Sequence, residues 1–179
     1  PEQQWLPNIK LYYQPWTELL AKNITSRPVR YQNVSGINLQ YGDDFSGQIA
    51  LSVQHAEITN RKEQQTLFAI DALYDLEYFE LSTQVFYADI SGSELKRRRN
   101  NEWGGYLQLV APIISNQWFL VGRGETFIQR DALESQQNAV FGVNFRPYKT
   151  IIWKLEYLLH RGASLGLNEG IYGSFGVMF

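Results

Sequence analysis

The chain has 179 residues, a net charge of −2 and no cysteine. This length corresponds to one domain, the lack of cysteine excludes disulfides and thiolate metal sites, and the slightly acidic balance argues against nucleic acid as the main partner. Aromatic residues make up 15% of the chain, its mean hydropathy is −0.31, and no segment approaches the ~20 apolar residues of a membrane helix. A membrane barrel of strands would still fit, because such strands place polar residues at every second position.

Residues 1–30 differ from the rest of the chain and are predicted to form an irregular N-terminal segment. Trp16–Lys22 could form one or two turns of helix, whereas Ile9–Tyr13 could supply a first strand. Residues 31–179 are predicted to form the strands of a β-barrel.

From residue 33 onward, apolar and polar residues alternate in nine segments, which is the pattern of half-buried β-strands. These segments are Ile37–Tyr41, Ile49–Gln54, Phe68–Tyr74, Phe79–Tyr87, Trp103–Leu109, Gln117–Arg130, Phe141–Arg146, Ile151–His160 and Ile171–Phe179. Nine strands cannot close in the even-numbered way usual for bacterial barrels, and open sheet edges cannot stand in lipid. Either Ile9–Tyr13 supplies a tenth strand or further strands lie upstream.

The connections between these segments alternate in length. Those near residues 43, 76, 114 and 148 are short, while those near 61, 97, 133 and 165 are long and polar. Transmembrane barrels combine short periplasmic turns with longer external loops, so the sequence predicts an antiparallel up-and-down transmembrane β-barrel in a bacterial outer membrane. Two interfacial aromatic belts are expected, one of Phe45, Phe79, Trp118, Tyr148 and Phe179, the other of Tyr87, Trp103 and Phe127.

The chain ends in an alternating strand whose apolar positions include Phe175, Val177 and the terminal Phe179. This ending resembles the closing strand of bacterial outer-membrane barrels. The resemblance implies that these three residues belong to the signal read by the barrel-insertion machinery. An edge strand of a soluble sheet is the alternative interpretation.

Several strand segments from Phe79 onward resemble the C-terminal half of bacterial porins of the phosphate-selective O/P-like kind. The resemblance is carried by Trp103–Leu109, Val121–Phe127, Phe141–Pro147, Trp153–Tyr157 and the terminal strand. It implies a diffusion channel without naming the solute, and the lysine-rich constriction that phosphate selection would suggest is not visible. Porins of this kind are about twice as long as this chain, which favours a fragment or a smaller relative.

The alternation also predicts which residues line the lumen. If the face that holds Phe79, Leu107, Phe141, Trp153 and Phe179 points outward, the opposite face lines a water-filled pore with charges of both signs. The predicted pore-lining residues are Asp71, Glu80, Gln84, Gln108, Arg123, Glu125, Asn144, Arg146, Lys154 and Glu156. In the alternative interpretation, Arg123–Glu125 and Lys154–Glu156 brace a filled barrel that conducts nothing.

A basic patch, Lys96, Arg97, Arg98 and Arg99, lies in a predicted external loop, where it could contact lipopolysaccharide phosphates or attract anions, or simply be solvated. No catalytic, metal or cofactor motif is found, so neither an enzyme nor a cofactor is predicted. The predicted function is a porin-type channel for passive diffusion of small hydrophilic, preferentially anionic, solutes; a closed barrel with a structural or adhesion role is the alternative. The expected partners are outer-membrane lipids and lipopolysaccharide, the insertion machinery, small ions or solutes, and further copies of the chain, but no nucleic acid.

Overall fold

The fold is a single antiparallel sheet of ten strands that follow one another in chain order. The computed structural model describes residues 6–19, 29–43, 47–59, 62–76, 78–92, 100–114, 117–129, 135–148, 150–162 and 169–177. The strands are β1 (Asn8–Leu19), β2 (Val29–Asp43), β3 (Gly47–Ile58), β4 (Glu63–Leu76), β5 (Phe79–Ser91), β6 (Asn101–Ile114), β7 (Trp118–Ile128), β8 (Gln136–Tyr148), β9 (Ile151–Arg161) and β10 (Gly170–Val177). The predicted all-β, up-and-down arrangement is confirmed. Among the described residues, no helix is long and apolar enough to cross a membrane.

The N-terminal segment contributes the tenth strand. β1 pairs antiparallel with β2 from Asn8 opposite Gln40 to Leu19 opposite Val29. The possible helix from Trp16 is therefore wrong for residues 16–19, because the ladder with β2 continues through them and outweighs their local helical propensity. Residues 20–28, which include the rest of that predicted helix, lie outside the described part of the chain.

Each strand is joined to the next by a connection on one of two sides of the sheet. On one side the connections span residues 44–46, 77–78, 115–117 and 149–150; on the other they span 20–28, 59–62, 92–100, 129–135 and 162–169. The loop near residue 61 is shorter than predicted, because Glu63, Gln64 and Gln65 extend β4 opposite Ile58, Glu57 and Ala56. The alternation of short and long connections is otherwise as predicted.

The outer strands β1 and β10 each pair with a single neighbour in the described sheet, so the sheet is open, which is consistent with a partial barrel. Each of these strands therefore leaves one edge of backbone N–H and C=O groups without a strand partner. Such an edge is available for pairing with another strand.

The two faces of the sheet differ in composition and in exposure. In β9, Trp153 and Leu155 are 53% and 60% exposed, whereas Lys154 and Glu156, which alternate with them, are half-buried. The same inversion, with apolar residues more exposed than polar ones, recurs along the sheet. The exposed apolar face includes Ile49, Leu51, Val53, Phe68, Ile70, Val85, Leu107, Leu109, Leu120, Phe141, Trp153 and Leu155.

The polar face is concave. Tyr106 on β6 lines the same hollow as Asn38 and Gln40 on β2, although three strands separate them in the sheet. Towards the long loops this face also carries a small apolar cluster, in which Ala56, Ile58, Ala88 and Ile90 are at most 1% exposed.

Phe127 lies on the concave face, with its ring 5.8 Å from that of Phe86. Its predicted place in an outward aromatic belt is therefore wrong. Gly104 lies opposite Phe86 and Phe127 in the strand ladders, and an added Cβ would meet both rings at 3.0 Å. The absence of a side chain at Gly104 allows the two aromatic residues to approach.

Candidate functional site

Strand register aligns a row of mostly polar residues directly across the concave face. Starting at β9 and moving towards β2, each residue stands opposite the next in the antiparallel ladders. We call this row the girdle; it consists of His160, Asn138, Glu125, Tyr106, Gln84, Asp71, Ala50 and Gln40.

Glu125 is the centre of the girdle's main network. Its Oε2 lies 2.9 Å from Nη2 of Arg123 and accepts a hydrogen bond from Nε of Arg123 at 3.0 Å, while its Oε1 accepts one from Nδ2 of Asn138 at 2.5 Å. The Arg123 guanidinium also lies 4.2 Å from the centroid of the Tyr106 ring. Because the Arg123 and Glu125 side chains remain 36% and 27% exposed, water screens the pair, which orients the two groups more than it stabilises the fold.

His160 extends this network to β9. Its Nδ1 lies 2.6 Å from Oδ1 of Asn138. Since the Asn138 amide nitrogen donates to Glu125, its oxygen faces the imidazole and accepts a hydrogen bond from Nδ1 of His160. The Nε2 atom of His160 is buried and has no hydrogen-bond partner among the described residues.

On the half of the concave face that β1–β5 form, side-chain amides and hydroxyls make the hydrogen bonds. Nε2 of Gln84 donates to Oδ1 of Asp71 at 2.5 Å, and Nδ2 of Asn38 donates to Oγ of Ser52 at 2.9 Å. The hydroxyl of Tyr12 donates to Oε1 of Gln54 at 3.0 Å. Polar contacts thus run from β1 to β9 along one face.

The cross-strand pairs place nine of the ten predicted pore-lining residues on the concave face. Arg146 lies in the bulge between Phe145 and Tyr148, and its contact with the Phe119 ring places it on the same face. The three basic residues, Arg123, Arg146 and Lys154, lie on β7, β8 and β9, whereas the four carboxylates lie on β4 (Asp71), β5 (Glu80), β7 (Glu125) and β9 (Glu156). The Arg146 guanidinium stands 4.6 Å from the centroid of the Phe119 ring. The hollow beside Arg123, Lys154 and Glu156 has a volume of about 460 Å³. The role of these residues in a pore stays a prediction.

The other predicted site residues are distributed differently. Phe175 and Val177 lie on the apolar face of β10, where the Phe175 ring packs 4.5 Å from that of Trp153. Phe179 and the basic patch Lys96, Arg97, Arg98 and Arg99 lie outside the described residues.

Tyr106 and Asn138 were not among the predicted site residues. Alternation does place His160 on the same face as Lys154 and Glu156. Its contact with Asn138, however, depends on the pairing of β8 with β9, which no single-strand pattern reveals. His55, by contrast, lies on the apolar side, with Nδ1 3.1 Å from Oγ1 of Thr66. Within the described ranges, no group of three or more His, Asp or Glu side chains could hold a metal ion.

No protein-family model, curated protein or solved structure matches this chain. The all-β fold is compatible with an outer-membrane β-barrel. The likeness to phosphate-selective porins stays a prediction from sequence.

Replacing Asn138 by Ala is expected to destabilise the folded sheet by about 1–3 kcal/mol, because the change removes a donor from the Glu125 carboxylate and leaves a second His160 nitrogen unpaired. Asn138 is 7% exposed, so water cannot readily replace it. Urea unfolding of the protein refolded in lipid would measure the effect. Gln137→Ala, at the exposed neighbouring position, is the control and should change stability by less than about 0.5 kcal/mol.

Proposed function

We propose that the protein is an outer-membrane porin-type channel for the passive diffusion of small hydrophilic solutes. The observation that supports this most strongly is the inversion of its faces: apolar side chains stand exposed on the convex side while polar ones line the concave side. A soluble barrel would have to expose Trp153, Leu155 and Phe141 to water. In a bilayer the same side chains contact lipid, as the outer wall of a transmembrane barrel requires.

The aromatic residues near the ends of the strands support a sheet that spans the membrane. Phe79, Trp118 and Tyr148 lie beside the short connections, and Tyr87 and Trp103 lie near the long ones; each is at least 37% exposed. Aromatic side chains favour the two interfaces of a membrane, so these positions fit a sheet whose short turns face the periplasm and whose long loops face outward.

The concave face supplies the chemistry of a hydrated path. Charges of both signs on one wall attract and orient small polar solutes without binding them tightly. The ten predicted lining residues comprise four carboxylates and three basic groups and so carry no positive excess. The predicted preference for anions therefore depends on Lys96, Arg97, Arg98 and Arg99, whose place at the mouth of the pore stays a prediction.

A membrane setting also requires that the free edges of β1 and β10 be paired, either with each other or with further strands. Unpaired N–H and C=O groups cost several kcal/mol each in hydrocarbon, which excludes an open edge in lipid. The ten-strand sheet is accordingly proposed to form the wall of a closed barrel.

A closed, non-conducting barrel with a structural or adhesion role is the second candidate. It is favoured by the network that joins Arg123, Glu125, Asn138 and His160 across three strands, since such networks also brace filled interiors. The buried apolar cluster around Ile58 and Ile90 fills part of the same face.

Planar-bilayer recordings on the native protein, extracted in detergent, would separate the two candidates. The channel predicts discrete and stable conductance steps, and a KCl gradient would give the ion preference from the sign of the reversal potential. Heat-denatured protein is the control for detergent artefacts. Silence from protein whose folding and insertion are demonstrated by its altered migration on boiling would support the closed barrel instead.

A further inference from the structure

The apolar face carries a groove that crosses β5–β9 near their long-loop ends. It has a volume of about 750 Å³, and its walls include Val85, Trp103, Leu107, Ala139 and Leu159. The groove crosses five strands, and Trp103, Thr126, Gln137 and Arg161 all lie within three residues of strand ends that lead into long connections. In the orientation proposed above, this places the groove in the outer leaflet.

The floor of the groove contains two glycines, Gly105 and Gly124, and the packing of the strands requires a glycine at only one of them. An added Cβ at Gly105 would lie 2.6 Å from the carbonyl oxygen of Gln84, so strand packing explains the glycine there. An added Cβ at Gly124 would meet no atom of the described residues within 4 Å, and Gly124 is not among the described glycines with positive φ. Neither packing nor backbone conformation therefore accounts for Gly124. The lack of a side chain at Gly124 keeps the floor of the groove open, so that another molecule could approach the backbone closely there.

The loop-side rim of the groove is polar and cationic. Arg161 and Gln137 stand opposite each other at the adjoining ends of β9 and β8, and both are exposed. No acidic side chain forms an ion pair with Arg161 in the part of the chain that is described. The groove thus combines an apolar floor with a positive charge at the end where a lipid headgroup would lie.

We propose that this groove binds one acyl chain of an outer-leaflet phosphorylated glycolipid, the lipid A part of lipopolysaccharide, while Arg161 hydrogen-bonds its phosphate. A guanidinium matches phosphate geometry with two parallel hydrogen bonds, which gives the charge complementarity that a neutral lipid lacks. The inference rests on the proposed location in the outer membrane, but it does not depend on whether the barrel conducts.

Native mass spectrometry of the detergent-extracted protein would test this with three probes: lipid A, dephosphorylated lipid A and phosphatidylglycerol. We expect lipid A to bind, and Gly124→Leu to weaken its binding about tenfold by filling the groove. Gly122→Leu is the matched control, because Gly122 is on the same strand and face with equally open space but does not line the groove. Arg161→Gln should weaken binding of lipid A and leave binding of the dephosphorylated form unchanged.

Equal binding of phosphatidylglycerol and lipid A would overturn the assignment to the glycolipid, as would equal effects of the two leucine variants. Dissociation of an oligomer by Gly124→Leu alone would overturn it in favour of an interface between copies. Bilayer recordings on the same variants distinguish the channel proposal from the lipid-site proposal. If the protein conducts but does not bind lipid A, only the lipid site is refuted. If folded protein binds lipid A but does not conduct, only the channel is refuted.

Discussion

Replacing Leu155 by Arg is expected to reduce the stability of the membrane-inserted protein by about 2–4 kcal/mol, the cost of a basic side chain on the lipid face near the midplane of a barrel. Leu155 lies in the middle of β9 on the apolar face and is 60% exposed. This substitution distinguishes a lipid environment of the convex face from an aqueous one, because its expected effect on stability differs between the two. In a water-soluble sheet, an arginine at so exposed a site would change stability by less than about 0.5 kcal/mol.

Tyr172→Arg provides the matched control for this experiment. Tyr172 on β10 stands opposite Glu156 on the concave face, next to the partner of Leu155 and therefore at nearly the same depth. An arginine there would face water and a carboxylate, so its effect should be small. Urea titration of both variants in phospholipid vesicles measures the difference. Equal effects of the two substitutions would mean that the convex face does not contact lipid, and the membrane proposal would be withdrawn.

The assignment of faces was accessible from sequence because the side-chain period of a strand is two. Within β9, alternation alone separates Trp153 and Leu155 from Lys154 and Glu156, and the structure keeps that separation. The same rule applies to Phe127, which shares its parity with Arg123 and Glu125. Its aromatic character and its position near a loop suggested a belt, but its parity already indicated the concave face.

The pairing register between neighbouring strands could not be predicted from the sequence in the same way. Alternation within a strand does not say which residue of the next strand stands opposite, since turns and bulges decide that. The β2–β3 ladder shifts between Gln32 and Ser35, where Asn33 adopts a φ of 50°, and another shift lies between Phe145 and Tyr148. The contact between Asn138 and His160 depends on such details, so the girdle emerges only from the folded sheet.

The tenth strand shows how tertiary pairing overrides local preference. Trp16, Thr17 and Glu18 have no strong alternation of their own, and a short helix was a reasonable expectation for them. In the sheet they extend β1 opposite Arg30, Tyr31 and Gln32. The ladder satisfies their backbone groups along one edge, which a one-turn helix in the same place would not do.

Neutralising Arg123 or its ion-pair partner Glu125, one at a time, is expected to shift the ion selectivity of the channel in opposite directions. Arg123→Gln leaves the Glu125 charge uncompensated and should favour cations, whereas Glu125→Gln frees Arg123 and should favour anions. A unit charge about 7 Å from a passing ion in water changes its energy by about 0.6 kcal/mol, which corresponds to roughly threefold in local ion concentration. Reversal potentials in a KCl gradient at low ionic strength, where screening is weakest, would show the two shifts.

Glu57→Gln is the control for these recordings, because it removes the same charge from the apolar face, where Glu57 pairs with Gln64. It should leave the reversal potential unchanged. If Arg123→Gln and Glu125→Gln shift the potential in the same direction, or not at all while conductance persists, the ions do not pass the girdle. The network of Arg123, Glu125, Asn138 and His160 would then brace the wall, and the conducting path would have to follow another part of the concave face.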